Sequence, residues 1–572
     1  MAQAKDVQVF PLAPQTFILR SRTWERLKFE IEYGLQRGTT ANSFVIEGDR
    51  LALFDPPGES FTEIFLQALQ QRWDLHRLDF VILGHVNANR AASLKALLHL
   101  APQVTLVCSN PSALNLESLL EGHQYSVQVC KGGDTLDLGQ GHHLAFIPTP
   151  TPRFPDQLCT YDPQTQILFT DKLFGCHVCG DQVMDEGGSI YQEDRRYYFD
   201  CVLAPSAKQV STALEKLAGL PVQLYAPGHG PLVKYSLMEL TQQYQQWLSQ
   251  QKSQALTVAL IYASAYGNTT TLAQAIARGI TKAGVAVEAI NAEATPADEI
   301  KTVLSKTAGF LFGSPTLGGH VPTPIQTALG IALATAEKSQ LCGVFGSFGW
   351  SGEAIDILET KFRDAGYQFG FETLRVKFAP TDAILKQCEE AGTDFAQALK
   401  KARKARQPRP SVSESQSART AQALGRIVGS LSIVTTRQGE LSGAMVASWV
   451  SQATFSPPGL TIAVAKERAI ESLLPINSTF VLNILQDGKH LGLMKHFLKP
   501  FAPGEDRFAG VEIETTENGA PILKEALAYL ECRVQNRLEC GDHWVLYATT
   551  ERGQVRTEGV TAVHHRKSGN YY

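Results

Sequence analysis

Three short loops rich in glycine and hydroxyl side chains hold the residues best suited to chemistry. The first, Ser264, Ala265, Tyr266, Gly267, Asn268 and Thr269, follows an apolar, β-rich run at 258–262. It opens a segment with Leu272, Ile276 and Ile280 at helical spacing. Strand, loop and helix in that order put backbone N–H and side-chain O–H donors at a helix N-terminus, where the peptide dipole favours a dianion. The loop contains no lysine, which separates it from an ATP loop. Alone, it reads equally well as an ordinary turn. The second loop, 313–319, carries Ser314, Pro315, Thr316, Leu317, Gly318 and Gly319 after a buried strand at 309–312. The third, 346–352, carries Ser347, Phe348, Gly349, Trp350, Ser351 and Gly352 after a strand at 342–345. In a doubly wound parallel sheet, loops at the carboxyl ends of the strands converge on one crevice. The first loop would take a phosphate there, while the other two border a flat ring on which Trp350 can stack.

These three loops resemble those of short-chain flavodoxin domains, and the resemblance implies FMN bound across 255–405 by the residues just named. The elements around them fall into a larger α/β chain. Its 572 residues correspond to roughly three to four domains, and its 44% hydrophobic and 19% charged content is that of an ordinary globular protein. A net charge of -4 leaves no footprint for nucleic acid or anionic membrane. No apolar run reaches a membrane span and the amino terminus lacks a signal-peptide core, so a cytoplasmic location is expected.

Residues 1–250 alternate strand-like runs (43–46, 51–54, 80–83) with helical ones (61–71, 91–100), the pattern of a layered α/β sandwich. The segments 38–58, 81–94, 151–162 with 168–177, and 225–232 resemble, in order and spacing, the metallo-β-lactamase-like αββα domain of flavodiiron proteins. That family's ligand motif, His-x-Glu-x-Asp-His, reads here His85-Val86-Asn87-Ala88-Asn89-Arg90. Its later histidine is matched by Arg153 and its bridging aspartate by Lys172, beside Asp171. Of the usual set only His85 and His229 remain. Arginine has no lone pair to donate, and lysine is a ligand only after losing its proton. At an effective dielectric near 20, a unit charge about 4 Å from a divalent ion costs about 8 kcal/mol. The diiron centre implied by the family is therefore expected to be absent or depleted. Arg90, Arg153 and Lys172 should converge on an anion, a water cluster or carboxylates such as Asp55 and Asp171.

Ten cysteines are scattered except for Cys176 and Cys179 in GCHVCG. A lone CxxC with no second pair reads first as reduced structural thiols. A rebuilt metal site from Asp171, Cys176, His177 and Cys179 is the competing view.

A Gln-rich helical stretch at about 236–251 leads into the flavodoxin-like module, whose last helix is expected at 394–406. The Lys400, Lys401, Arg403, Lys404, Arg406 cluster reads first as a solvated helix end and second as a docking patch for an acidic electron donor. The Pro/Ser/Gln-rich run that follows marks a linker at 406–420. Residues 421–572 show short strands at 432–436, 460–464, 480–484 and 544–549, expected to close a small barrel. The segments 441–460, 467–485 and 541–550, with the ending His564-His565-Arg566, resemble the flavin reductase family and its split β-barrel. The likeness implies that Ala447, Ser448, Trp449 and Thr454 line an FMN or FAD and that His543 lies on the nicotinamide side. Taken alone, Trp449 reads as core packing.

The three modules in this order resemble the flavodiiron proteins of oxygenic phototrophs that carry a fused flavin reductase. The resemblance implies electrons passing from NAD(P)H through flavin to dioxygen, with reduction to water, in a head-to-tail homo- or hetero-oligomer with a related flavodiiron protein. With its ligands replaced, this chain is expected to work beside a metal-competent partner. A structural or regulatory partner subunit is the second reading. Hydrolase chemistry, suggested by the first fold alone, fails because it needs the same missing ligands.

Overall fold

Alternation along the first strands decides how the amino-terminal layers stack. Val45, Leu53, Val81 and Leu106 are register neighbours on one side of a sheet and pack under the helices Thr62–Gln70, Ala88–Leu100 and Asn110–Leu119. Their neighbours Phe44, Phe54, Ile82 and Val107 point the other way, onto Phe146, Leu158 and Phe169 of a second sheet. Successive side chains on a strand face opposite sides, so one run of apolar residues supplies two cores.

A computed structural model of the chain describes residues 5–24, 37–406, 416–517 and 519–565. Among them the first sheet has seven strands paired in chain order: Asp6–Ala13, Thr16–Thr23, Thr39–Glu47, Leu51–Phe54, Leu78–Ile82, Thr105–Ser109 and Ser126–Cys130. The second has five strands, in the order Leu224–Pro227, Ile167–Asp171, Leu158–Asp162, His143–Pro148 and Thr135–Asp137. Its outer face is covered by the helices Ala207–Leu217 and Leu237–Lys252, through a third core containing Tyr198, Phe199, Tyr244 and Trp247. Helix, sheet, sheet and helix make the αββα sandwich.

In the next module four parallel strands pair in the order Ala286–Asn291, Thr257–Tyr262, Gly309–Pro315 and Leu341–Phe348. The first of these in sequence, Thr257–Tyr262, has its two successors on opposite sides, so the strand order reverses just beyond Tyr262. That reversal opens the crevice into which the 264–269 loop runs. Two strands are longer than the sequence suggests. Ser314, Pro315, Ser347 and Phe348, expected in loops, end strands instead, because the pairing continues as far as Pro315 beside Ser347.

Two compact units partition the chain, one spanning 1–277 and 286–368, the other 278–285 and 369–572. The second contains a seven-stranded antiparallel sheet in the order Leu441–Ala447, Ser432–Gln438, Thr479–Ile484, Ala528–Cys540, His543–Val555, Pro458–Ala465 and Val450–Phe455. It wraps a core of Val434, Met445, Ile462, Leu482, Val534 and Leu546, the split β-barrel. The helix expected at 394–406 begins twelve residues earlier and spans Asp382–Arg406. Lys400, Lys401, Arg403 and Lys404 are exposed near its end, as a solvated cationic terminus requires. Residues 407–415 of the expected linker lie outside the described residues; Arg406 ends the preceding helix and 416–420 fall in the helix Gln416–Leu424. Of the carboxy-terminal motif, Arg566 lies outside the described residues, whereas His564 ends the short strand Val563–His564. No helix of the described residues is long and apolar enough to cross a membrane.

Candidate functional site

The crevice beyond Tyr262 has the fittings of a phosphate and ring site. The carbonyl of Gly267 accepts from Thr271 N–H at 3.0 Å, so the helix Asn268–Lys282 starts at the loop and aims its N-terminus into it. Ser264 Oγ accepts from Thr270 N–H at 3.3 Å, and Thr269 Oγ1 bonds Ser347 Oγ at 2.9 Å. Those contacts tie the first loop to itself and to the third. Leu317 and His320 exchange backbone bonds at 3.2 and 3.0 Å around Gly318 and Gly319, whose φ values are +58° and +80°. Two consecutive positive φ angles make a tight turn that other residues adopt only under strain. A Cβ on either glycine, or on Gly267, would meet nothing within 4 Å, leaving open space beside the backbone for a ligand. Tyr266 and Trp350 present their rings almost fully exposed, at 88% and 92%. An N-terminal anion cradle flanked by two presented aromatic rings fits FMN. Glu293, which no motif marks, accepts through Oε2 from Ser264 N–H at 3.4 Å and places a carboxylate at the loop entrance.

Within the sandwich lies a cavity of about 370 Å³ lined by Asn42, Asn87, Asn89, Arg90, Lys172 and His229, among others. Arg90 fills the role of a bridging cation. Its Nη1 donates to Asp55 Oδ1 at 2.7 Å and to the carbonyl of His85, and its Nη2 lies 3.3 Å from Asp171 Oδ1. Lys172 Nζ stands 3.6 Å from the same Asp171 oxygen. Asp55 and Asp171 both have positive φ, 46° and 43°, backbone strain of the kind retained at functional sites. Gly228 is needed there because a Cβ would sit 2.6 Å from Asp171 Oδ1. Burial pushes the Asp55 carboxyl up to about 6, with Arg90 pulling it down and Asp171 pushing it further up.

His85 and His229 are each held through Nδ1. His85 Nδ1 bonds Asp156 Oδ1 at 2.7 Å, and His229 Nδ1 donates to Thr40 O at 2.7 Å. Asp156, not singled out in the sequence, also accepts from Val86 N–H and Ser112 Oγ at 2.9 and 2.8 Å. Burial alone would raise its pKa, but His85 and these donors hold it at about 2. The only sequence signal was its place after Phe154-Pro155. Arg153 does not converge with Arg90 and Lys172 as expected. Its guanidinium lies over the Phe154 ring at 5.1 Å, and it lines a separate, smaller cavity with Tyr262 and Gln274. Lys172 Nζ approaches the same Phe154 ring at 5.4 Å, so the two cations share an aromatic neighbour although Arg153 does not line the larger cavity.

All ten cysteines are free thiols, and burial raises the Cys176 thiol to about 12. Among the described residues no group of three or more His, Cys, Asp or Glu side chains is placed to hold a metal ion. The alternative Asp171, Cys176, His177 and Cys179 site is not assembled. His177 instead bonds Thr39 Oγ1 through Nδ1 at 2.7 Å and packs beside His229, ring centroids 4.7 Å apart.

In the barrel, the Trp449 and His543 rings lie 5.0 Å apart at 34°, and Asp542 Oδ1 holds His543 Nδ1 at 2.8 Å. Ala447 and Ser448 are buried at the end of their strand, and Thr454 Oγ1 donates to Pro457 O at 2.7 Å. Trp449 and His543 thus form one wall, with Thr454 separately anchored by Pro457.

Comparison with known proteins bears on all three modules. Residues 39–230 match the ODP family β-lactamase model, 260–392 the flavodoxin model and 424–571 the flavin reductase like domain. Diflavin flavoprotein A 3 of Synechocystis sp. (strain PCC 6803) is 75% identical over all of this chain and 96% of its own length. The chain belongs to the cyanobacterial diflavin flavoproteins. Diflavin flavoprotein A 6 of Nostoc sp. (strain PCC 7120) is 64% identical over the full length of both chains. Among solved structures, the metal-soaked Flv1 flavodiiron core of Synechocystis sp. PCC 6803 superposes with a TM-score of 0.69 at 73% identity, covering 70% of this chain and all of that one.

A diiron centre is implied by the flavodiiron fold, and the residues present do not fit it. Two irons need carboxylate and imidazole donors on a shared cavity. Here Asp55 and Asp171 are already bridged by a guanidinium, Lys172 adds an ammonium at 3.6 Å, and the lining amides Asn87 and Asn89 replace carboxylates. Asn87 Oδ1 also caps the helix Ala88–Leu100 by accepting from Arg90 N–H at 2.9 Å. Asn89 Oδ1 accepts from Glu59 N–H at 3.0 Å.

Proposed function

We propose that this diflavin flavoprotein is an electron-transfer oxidoreductase that carries electrons from NAD(P)H through its barrel flavin and its flavodoxin-domain FMN towards dioxygen, completing reduction to water together with a metal-competent relative. Two NAD(P)H, one dioxygen and two protons give two NAD(P)⁺ and two water molecules. The module junctions are placed near residues 250 and 406–420. A bound flavin accepts a hydride as an electron pair and releases electrons singly.

The chain's own residues supply the rest. Trp449 and His543 offer two planar surfaces on one side of the barrel, and the Asp542 carboxylate fixes which His543 nitrogen carries a proton. Ser264, Thr269 and the helix N-terminus at Asn268 neutralise a phosphate, and Tyr266 and Trp350 flank a ring. Arg90 and Lys172 keep Asp55 and Asp171 engaged, which takes both carboxylates out of any donor set for iron. The supporting observation is that pairing: an intact flavin cradle in a polypeptide whose metal-type cavity has its two carboxylates bridged by a largely buried guanidinium.

Anaerobic titration of the purified chain with NADH and with NADPH, followed by oxygen uptake with and without a ligand-complete relative, tests the proposal. Flavin bleaching together with uptake to water that requires the relative is the expected result. Water formation by the chain alone, at rates tracking two bound irons, overturns it. A colourless preparation favours instead a structural or regulatory partner subunit.

A further inference from the structure

The helix Asp382–Arg406 starts earlier than its sequence suggests because its first half is charged and nonetheless buried. Lys386 and Glu389 on this helix meet Arg278 and Lys282, from the last turn of the phosphate-loop helix, and Glu471 and Arg537 of the barrel. None of these six side chains is more than 7% exposed. Glu389 pairs with Lys282 and lies 3.8 Å from Lys386 Nζ. Glu471 accepts from Arg537 Nη2 at 2.7 Å, with Arg278 and Lys282 at 3.7 and 3.9 Å. Lys386 also donates to the carbonyl of Ala469 and to Ser472 Oγ. One helical turn on, Glu390 accepts from Gly504 N–H at 3.0 Å and pairs with Arg507 at 3.3 Å. The Arg537 guanidinium lies 4.4 Å from the centroid of the Trp544 ring, next in sequence to His543.

We propose that this buried ion cluster is a dock that holds the reductase barrel in one orientation against the helix Asp382–Arg406 and residues 278–285 of the same compact unit, so that the barrel delivers electrons from a docked rather than a swinging position. The delivery step rests on the function proposed above; the dock does not. Buried ion pairs add little net stability compared with apolar packing, but removing one partner leaves a charge uncompensated. Such contacts therefore select one arrangement, because every slid or rotated alternative strands a charge. The cluster is cation-rich, with four basic groups sharing two carboxylates. Each carboxylate is thus indispensable.

The test uses the full chain and two readouts. Hydrogen exchange over 382–399 reports the dock, and anaerobic stopped-flow reduction by NAD(P)H reports delivery as a slow phase after a fast one. In the wild type the slow phase is expected to be independent of added viscogen; viscogen dependence there overturns the proposal without any variant. Glu471→Gln is expected to lose exchange protection by about tenfold or more and to make the slow phase slower and viscosity-dependent, with the fast phase unchanged. Glu471→Asp should recover part of both losses. Arg533→Gln, which breaks an exposed pair with Glu551 on the same barrel, should retain both properties. Wild-type protection in Glu471→Gln, or equal losses in Arg533→Gln, overturns the proposal. A wild type whose flavins do not bleach with nicotinamide refutes the functional reading alone, and the exchange data still decide the dock.

Discussion

Replacing Arg90 by leucine removes a group that bridges Asp55 and Asp171 while keeping much of its volume. The guanidinium is about 11% exposed and the two carboxylates 7% and 1%, so water compensates little of the loss. Removing one partner of a buried ion pair costs about 3–5 kcal/mol, and that is the expected destabilisation of the sandwich at pH 8. The cost has a pH signature. A carboxyl whose folded pKa lies above its unfolded value binds more protons in the folded state. Stability is then fully present below the unfolded pKa and is lost as pH rises through the folded one. Asp55 already stands at about 6 with Arg90 in place, and without Arg90 it moves higher. Between pH 8 and pH 5 the variant should therefore recover stability relative to wild type by up to about 1.4 kcal/mol per pH unit for each proton taken up. Urea-dependent hydrogen exchange in the strands Leu51–Phe54 and Leu78–Ile82 measures this locally, without assuming that the whole chain unfolds in one step. A deficit that is the same at pH 5 and pH 8, or one under about 1 kcal/mol at both, would refute the picture of a guanidinium clamping two buried carboxylates.

Ser264→Ala and Thr269→Val should each weaken FMN binding about tenfold or more, the worth of one hydrogen bond to a charged group, read by recovery of free-flavin fluorescence on dilution. Gly318→Val forces a β-branched residue to a φ of +58°, and it should lower FMN affinity with little change in the far-UV spectrum. Asp156→Asn removes a carboxylate held at about 2; its stabilisation is present above the unfolded carboxyl pKa and lost as pH falls towards 2. The gap between wild type and variant should therefore be constant from pH 8 to 5 and close below about pH 4.

Much of this architecture is legible in the sequence because apolar periodicity and turn chemistry act locally. The strand before Ser264, the helix after it and the alternating strands of the sandwich are written in their own residues. The start of the helix Asp382–Arg406 is not. Its first turns carry Lys386, Glu389 and Glu390, which read as solvated charges until partners distant in sequence bury them. Arg153 fails for a related reason: a family motif gives a position in the chain, whereas which cavity its side chain lines is settled by packing in the fold. Asp156 offered no pattern of its own, since its importance lies in three donors, all of them more than forty residues away. The strand ends at Pro315 and Phe348 are set by parallel neighbours rather than by composition, which is why small, loop-like residues sit in regular sheet there.

Iron and flavin content of the same purified preparation, after anaerobic incubation with excess ferrous iron and desalting, bears most directly on an electron carrier whose metal-type cavity has its carboxylates bridged by Arg90. Retained FMN without stoichiometric iron, in protein whose flavins still bleach with NAD(P)H, is the outcome expected. A pair of tightly held irons per chain, with water formed from oxygen in the absence of any relative, would contradict it.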